Sequence, residues 1–220
     1  LAEATAKLAR KFGISKEEQD DWSIKSHLNA LKSKEILRSE ITPILNQTND
    51  LFTRKLSKKI CEKAPKLSDT VTHANSAIAA DAAGFVVLVS EFFLKNKMCK
   101  GIEVLGSGTS GIIPEETPLA PVGAIQAVLN QTEISLSKVA FIELMEAYAA
   151  QAIMCTRLCN LDLDKINIRG GALSRGHPIG ASGAILVVRL FNELIKKPET
   201  FGMAAIAAAG GIGSAMMLKS

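Results

Sequence analysis

The chain has 220 residues, 47% of them hydrophobic and 22% charged, with four cysteines and a formal net charge of +4. That apolar content supports a substantial core in one or two domains, whereas the best apolar run, residues 85–94, is too short and too interrupted by Ser90 and Glu91 to span a bilayer. Cys61, Cys99, Cys155 and Cys159 form no secretory disulfide pattern, so the expectation is a soluble intracellular protein with reduced thiols, its compartment left open.

At the front, Ser15 and Glu18 make a capping-box pattern, and Trp22, His27, Leu28 and Leu31 follow at mixed helical spacing. Two helical segments are expected there, with His27 a surface or helix-face residue. All of the positive excess lies in residues 1–69, which hold 14 Lys and Arg against 10 Asp and Glu. Arg54, Lys55, Lys58, Lys59, Lys63 and Lys66 cluster there without interleaved aromatics, which suits phosphates and not stacking on nucleic-acid bases. A solvated basic face is the plainer alternative. Residues 74–94 read as an apolar helix.

From Gly101 the pattern becomes α/β. A strand is expected at 102–105, a helix at 121–129 with Pro121 near its first turn, a strand at 139–144, a helix at 147–158 and a short extended piece at 166–168. Residues 184–195 leave little polar face and are expected to be buried on nearly all sides. Residues 203–208 and 215–218 flank Gly210 and Gly211 and read as paired strands around a tight turn.

The stretch 170–183 fixes one histidine between a flexible residue and a rigid one. Gly176 reaches backbone angles closed to other residues, and Pro178 pushes His177 away from helical geometry. His177 is the residue that looks built for chemistry, on a loop whose following glycines free backbone N–H groups at a helix start. A Gly-rich turn with a merely hydrogen-bonded histidine is the structural alternative.

Three blocks in order resemble the C-terminal signatures of the thiolases, the acetyl-CoA acetyltransferase and 3-ketoacyl-CoA thiolase family. Leu144-Met-Glu-Ala-Tyr-Ala-Ala-Gln151 stands where that family carries N-E-A-F-A-A-Q. Residues 170–183 match G-G-A-x-x-x-G-H-P-x-G-A-S-G, and Ala207-Ala-Ala-Gly-Gly-Ile-Gly213 falls where the family has C-x-G-G-G-x-G. Residues 12–20 and 70–75 also resemble thiolase segments. The resemblance implies a layered α-β-α-β-α fold, with residues 1–69 the end of the loop domain, 70–100 the last part of the N-terminal half and 101–220 the C-terminal half. It further implies coenzyme A thioesters as substrates with no separate cofactor or metal, a homo-oligomer (dimer or tetramer), a place in lipid metabolism, and no nucleic-acid or membrane partner.

By the same resemblance, His177 activates a nucleophilic cysteine carried in an N-terminal half that this chain does not contain, and donates to a thioester oxygen. The family's second cysteine, the base for the α-carbon proton, falls at Ala207. The asparagine that holds an oxyanion-hole water falls at Met145, whose thioether has no donor. Ala209 replaces the first glycine of the triplet, leaving Gly210 and Gly211 to present N–H groups; a positive φ at 209 would strain an alanine. A serine that touches the pantetheine arm in relatives becomes Ala77, beside Ser76. Arg54 and Lys55 are the expected contacts to the nucleotide end of coenzyme A. Asn75 and Asp81 are expected to shape a turn and cap a helix, Glu146 to support the loop beside Glu143, and Cys155 and Cys159 to be core thiols. His73 matches no family role. The reading is an acyltransferase acting on coenzyme A thioesters. Its rivals are a non-catalytic homologue that binds acyl-CoA or serves as a structural subunit, and a thioester hydrolase or decarboxylating condensing activity.

Overall fold

A computed structural model describes residues 1–97 and 99–220. The two front helices are α1 (Ala2–Lys11) and α2 (Lys16–Lys32), and Ser15 begins the second by accepting the Glu18 N–H on its Oγ at 3.1 Å. Helix α1 packs Leu8 and Ala9 against Ile14, Leu119, Ile153 and Met154. The inner face of α2 is largely polar, with Gln19, Asp20, Ser23, Ser26 and His27 buried. His27 is therefore no surface residue. It is 1% exposed, and its Nδ1 accepts the Arg54 N–H at 3.3 Å, a partner that sequence periodicity does not reveal.

Helix α3 (Lys34–Arg38) leads into an irregular stretch, and α4 (Lys58–Glu62) precedes a small antiparallel pair, β1 (Lys66–Ser68) and β2 (Val71–Thr72). The expected helix over 74–94 does not form. Residues 75–79 instead spend their backbone groups on neighbours: Ala77 N–H donates to Ala147 O at 3.0 Å, Asn75 O accepts Ala149 N–H at 2.9 Å, and Ile78 O accepts His177 N–H at 2.7 Å. Residues 81–90 have no regular structure, with Phe85, Val87 and Leu88 exposed, and Val86, Val87 and Val89 are β-branched residues that favour extended backbone. Asp81 is exposed and has no helix to cap. Only α5 (Glu91–Lys97) is helical here.

The rest is an α/β unit. In chain order come β3 (Glu103–Gly111), a 3-10 turn (Pro114–Leu119), α6 (Ala120–Thr132), β4 (Val139–Leu144), α7 (Ala149–Leu158), α8 (Ala172–Arg175), α9 (Ser182–Leu194), β5 (Phe201–Ala208) and β6 (Ile212–Lys219). The four strands run β3-β6-β5-β4, with β4 and β5 parallel and the other pairs antiparallel. Side chains alternate across the sheet. Ile142, Leu144, Met203, Ala205 and Met217 meet Ala124, Ile125 and Val128 of α6 on one face, while Phe141, Ala204 and Leu218 meet Leu186, Leu190 and Leu194 of α9 on the other. The result is the expected layered α/β architecture.

Helix α9 departs from its expectation. Its buried stripe includes Arg189 and Glu193, and Ile185, Val187 and Val188 remain partly exposed. Arg189 can be buried because it pairs with Glu40, and Glu193 because it pairs with Arg169. Among the described residues no helix is long and apolar enough to cross a membrane.

Candidate active site

His177 sits where the short helix α8 ends and the chain turns toward α9. Gly176 makes the turn with φ 99°, and a Cβ there would lie 2.8 Å from the Ala80 Cβ and 3.0 Å from the Phe52 ring, so both conformation and space require glycine. The imidazole Nδ1 lies 2.7 Å from Ser182 Oγ, and that hydroxyl donates to Pro178 O at 2.9 Å. A serine has one proton to give. With it committed to Pro178, Ser182 accepts from Nδ1–H, and Nε2 keeps its lone pair. Burial, and then the Arg175 guanidinium, hold the imidazole below the ordinary histidine range, so the neutral base is the form present near pH 7. Ser182 escaped the sequence reading; its signal is a hydroxyl five residues past the histidine, at the first residue of α9.

Three strands of chain converge on this loop. His177 is bridged to Ala79, Ser76 is bridged to Tyr148, and Met145 N–H donates to Ala205 O at 2.9 Å. Because β4 and β5 are parallel, with Leu144 opposite Ala205, Met145 and Ala207 emerge at the same end of the sheet. Met145 is 1% exposed and packs with Ala172, Leu186 and Leu190, its thioether filling apolar space. Ala207 faces Gly213 across the hairpin. Ala77 packs at the edge of the cluster that holds Met145. Ser76 is 8% exposed, and its Oγ has no hydrogen-bond partner among the described residues.

Glu146 supports the loop. Its Oε1 accepts from Trp22 Nε1–H at 3.0 Å and from Asn167 Nδ2–H at 2.7 Å; its Oε2 accepts from Ser26 Oγ–H at 2.8 Å and from Leu173 N–H at 3.3 Å. The carboxylate thus ties α2 and Asn167 to the start of α8. Asn75 shapes its turn, accepting Thr72 N–H at 2.7 Å and donating to Asp20 at 3.0 Å.

Neither Cys155 nor Cys159 is poised as a base. Cys155 is fully buried and donates to Pro118 O, burial pushing its thiol far up; Cys159, beside Val122, is pushed up to about 11. Both are packing thiols. Glu143 is 2% exposed, and burial raises its carboxyl to about 7 against the pull of Arg189 and Arg175. Positive φ falls at Gly210 (93°) and Gly211 (85°) and not at Ala209, so the alanine carries no backbone strain.

A cavity of about 470 Å³ opens between α4 and the turn after β2, lined by Arg54, Lys59, Lys63 and His73 with Ile60 and Pro65. Lys55 does not line it, and Lys58 turns away to Glu17 and Asp21. Residues 74–79 run from this cavity to His177.

A family model described as "Thiolase, C-terminal domain" matches residues 101–220. The chain belongs to the thiolase family. The protein named "Putative acetyl-CoA C-acetyltransferase YhfS" from Bacillus subtilis (strain 168) is 35% identical over 96% of this chain and 61% of its own length. The crystal structure of the Bacillus anthracis acetyl-CoA acetyltransferase superposes on 99% of this chain and 59% of that one, with TM-score 0.92 and 28% identity. Human mitochondrial 3-ketoacyl-CoA thiolase, solved in complex with CoA, does so over 100% and 58%, with TM-score 0.91 and 28% identity. The thiolase-family chain thus spans about three-fifths of the length of these relatives.

Proposed function

We propose that this chain supplies the histidine side of a thiolase-type acyl-transfer site for coenzyme A thioesters, with His177 as the base. The observation that carries the reading is the tautomer set by Ser182 and Pro178, which leaves Nε2 of a neutral imidazole free. Nε2 takes the proton of an attacking thiol; the thiolate adds to the thioester carbonyl, and the departing coenzyme A sulfur recovers the proton from the imidazolium. Cys61, Cys155 and Cys159 are held in the core regions of this chain, and the resemblance to the thiolases assigns the attacking thiol to a segment outside these 220 residues.

The cavity of Arg54, Lys59, Lys63 and His73 suits the phosphates of coenzyme A, and the extended residues 74–79, with Ser76 and Ala77, suit the pantetheine arm between cavity and histidine. Gly210 and Gly211 offer backbone N–H groups at the hairpin tip. Coenzyme A enters as part of the substrate, without a further cofactor, and the assembled enzyme is a homo-oligomer with a place in lipid metabolism.

Carbon–carbon bond chemistry needs a second proton carrier, and the methyl of Ala207 and the buried thioether of Met145 supply neither a base nor a water-holding amide. This favours acyl transfer with a crippled α-proton step, and it is also the observation behind a second reading, a non-catalytic acyl-CoA-binding homologue. Thiolysis of acetoacetyl-CoA by the full-length protein tests both. Ala207→Cys with Met145→Asn is expected to raise the rate by about 10²-fold or more. No gain would mean that these two positions do not have the roles given to them.

A further inference from the structure

Phe52, Thr53 and Arg54 lie in a stretch without helix or strand, so contacts with other parts of the chain fix their positions. Each of the three makes a different contact. The Phe52 ring sits against Gly176, where an added Cβ would lie 3.0 Å from a ring carbon. Thr53 Oγ1 donates to Ser174 O, on α8, at 3.0 Å. Arg54 N–H donates to the buried His27 Nδ1 at 3.3 Å, while its side chain lines the basic cavity and turns Nη1 back to Phe52 O at 3.4 Å. The guanidinium that faces the cavity thus also holds the carbonyl of the residue packed on Gly176. Three residues span at most about 11 Å, so Arg54 cannot shift far without moving Thr53 and Phe52. On the other side of these contacts, α8 is a single turn, too short to sustain itself. Its last turn closes with Gly176 N–H on Ala172 O at 2.8 Å, and His177 N–H follows on Ile78 O at 2.7 Å. The start of the loop is held independently, Gly171 N–H donating to Ser26 Oγ on α2 at 2.9 Å.

We propose that Thr53 is a positioning residue for His177 and ties the histidine loop to the basic cavity, so that a phosphate held on Arg54 tightens the backbone that carries the imidazole. The proposal rests on the reading of His177 as the base and of the cavity as a phosphate site. A ligand that orders an irregular segment also orders the contacts which that segment makes. Here those contacts are the Thr53 hydroxyl on α8 and the Phe52 ring on Gly176. Phosphates at one end of a thioester then bear on the base at its other end, and binding energy remote from the reacting carbonyl goes into positioning.

Amide hydrogen exchange of this 220-residue chain is the test, with adenosine 3′,5′-bisphosphate as a probe that carries phosphates and no thioester. Without the probe, the amides of Gly176 and His177 are expected to exchange about 5–10-fold faster in Thr53→Val than in the parent. In Thr53→Ser, which keeps the hydroxyl, they are expected at the parent rate, and the β5–β6 ladder is expected unchanged in both variants. Saturating probe is expected to slow the two loop amides in the parent and in Thr53→Ser and to leave them unslowed in Thr53→Val. A merely structural threonine would not decide the response to the probe. Unchanged exchange in Thr53→Val, an equal rise across the β5–β6 ladder, or slowing by the probe that persists in Thr53→Val overturns the proposal. Binding of the probe is read separately by calorimetry, in the parent and in Arg54→Gln. A probe that binds through Arg54 and leaves the parent's loop amides unchanged overturns the link alone; one that does not bind, or binds Arg54→Gln equally well, overturns the cavity reading and the link with it.

Discussion

Ser182 and Arg54 each decide which nitrogen of a histidine carries a proton. At His177 the serine leaves Nε2 as the acceptor, so Ser182→Ala should release the ring into a mixture of tautomers. Nitrogen-15 shifts of the imidazole should show a single Nδ1–H form in the parent and a mixture in the variant; identical patterns would remove Ser182 from the account. At His27 the arrangement is reversed: Nδ1 accepts from the Arg54 backbone, and burial, reinforced by the Arg54 charge, lowers the group to about 4. Its folded value lies below the unfolded value of about 6.5, so its contribution to stability is complete above about pH 6.5 and is lost as pH falls toward 4. Thermal midpoints should therefore drop between pH 6.5 and 4 in the parent and drop less in His27→Gln. Parallel curves would contradict the buried, neutral assignment. The His27 partnership was not visible in the sequence, because Arg54 reaches His27 through its backbone and across 27 residues, whereas Ser182 lies five residues past His177 and was overlooked.

The β5–β6 hairpin shows how an element divides its constraints. Gly211 has φ 85°, and a Cβ there would lie 2.0 Å from Ile112 O, whereas Ala209 has an ordinary φ. Gly211→Ala should destabilise the protein by at least about 2 kcal/mol, and Ala209→Gly should stay within about 1 kcal/mol of the parent. Denaturant melts of the two variants check this, and equal effects would be inconsistent with the turn described. Elements with a clean period were legible in advance: β4 at 139–144, α6 after its proline, and the hairpin with its glycine pair. Strand β3 was read short because Gly106, Ser107, Gly108 and Thr109 carry no apolar alternation. The segment 74–94 was misread because its apolar residues have no diagnostic period and residues 77–79 spend backbone groups on Ala147 and His177, distant in sequence. The buried charges of α9 were invisible because Glu40 and Arg169, their partners, lie in irregular stretches distant in sequence.

At the scale of the whole molecule, the parallel β4–β5 pair sets Met145 and Ala207 at one end of the sheet, and the loop carrying His177 closes over residues 76–80, reached from the basic cavity. The histidine loop was the most legible part of the sequence; the cavity was half legible, since Arg54, Lys59 and Lys63 line it while Lys55 and Lys58 do not. Under the proposed function, His177 handles a thiol proton and the methyl of Ala207 leaves the carbon-bound proton without a carrier. Two isotope exchanges, run together on the full-length protein with acetyl-CoA, separate these functions. Labelled coenzyme A should exchange into acetyl-CoA and stop doing so in His177→Gln. Exchange of the acetyl protons with deuterated water should be slower than in a thiolase with a cysteine at the position of Ala207 by about 10²–10⁴-fold. Acetyl-proton exchange as fast as in such a thiolase, or no coenzyme A exchange at all, would contradict the account.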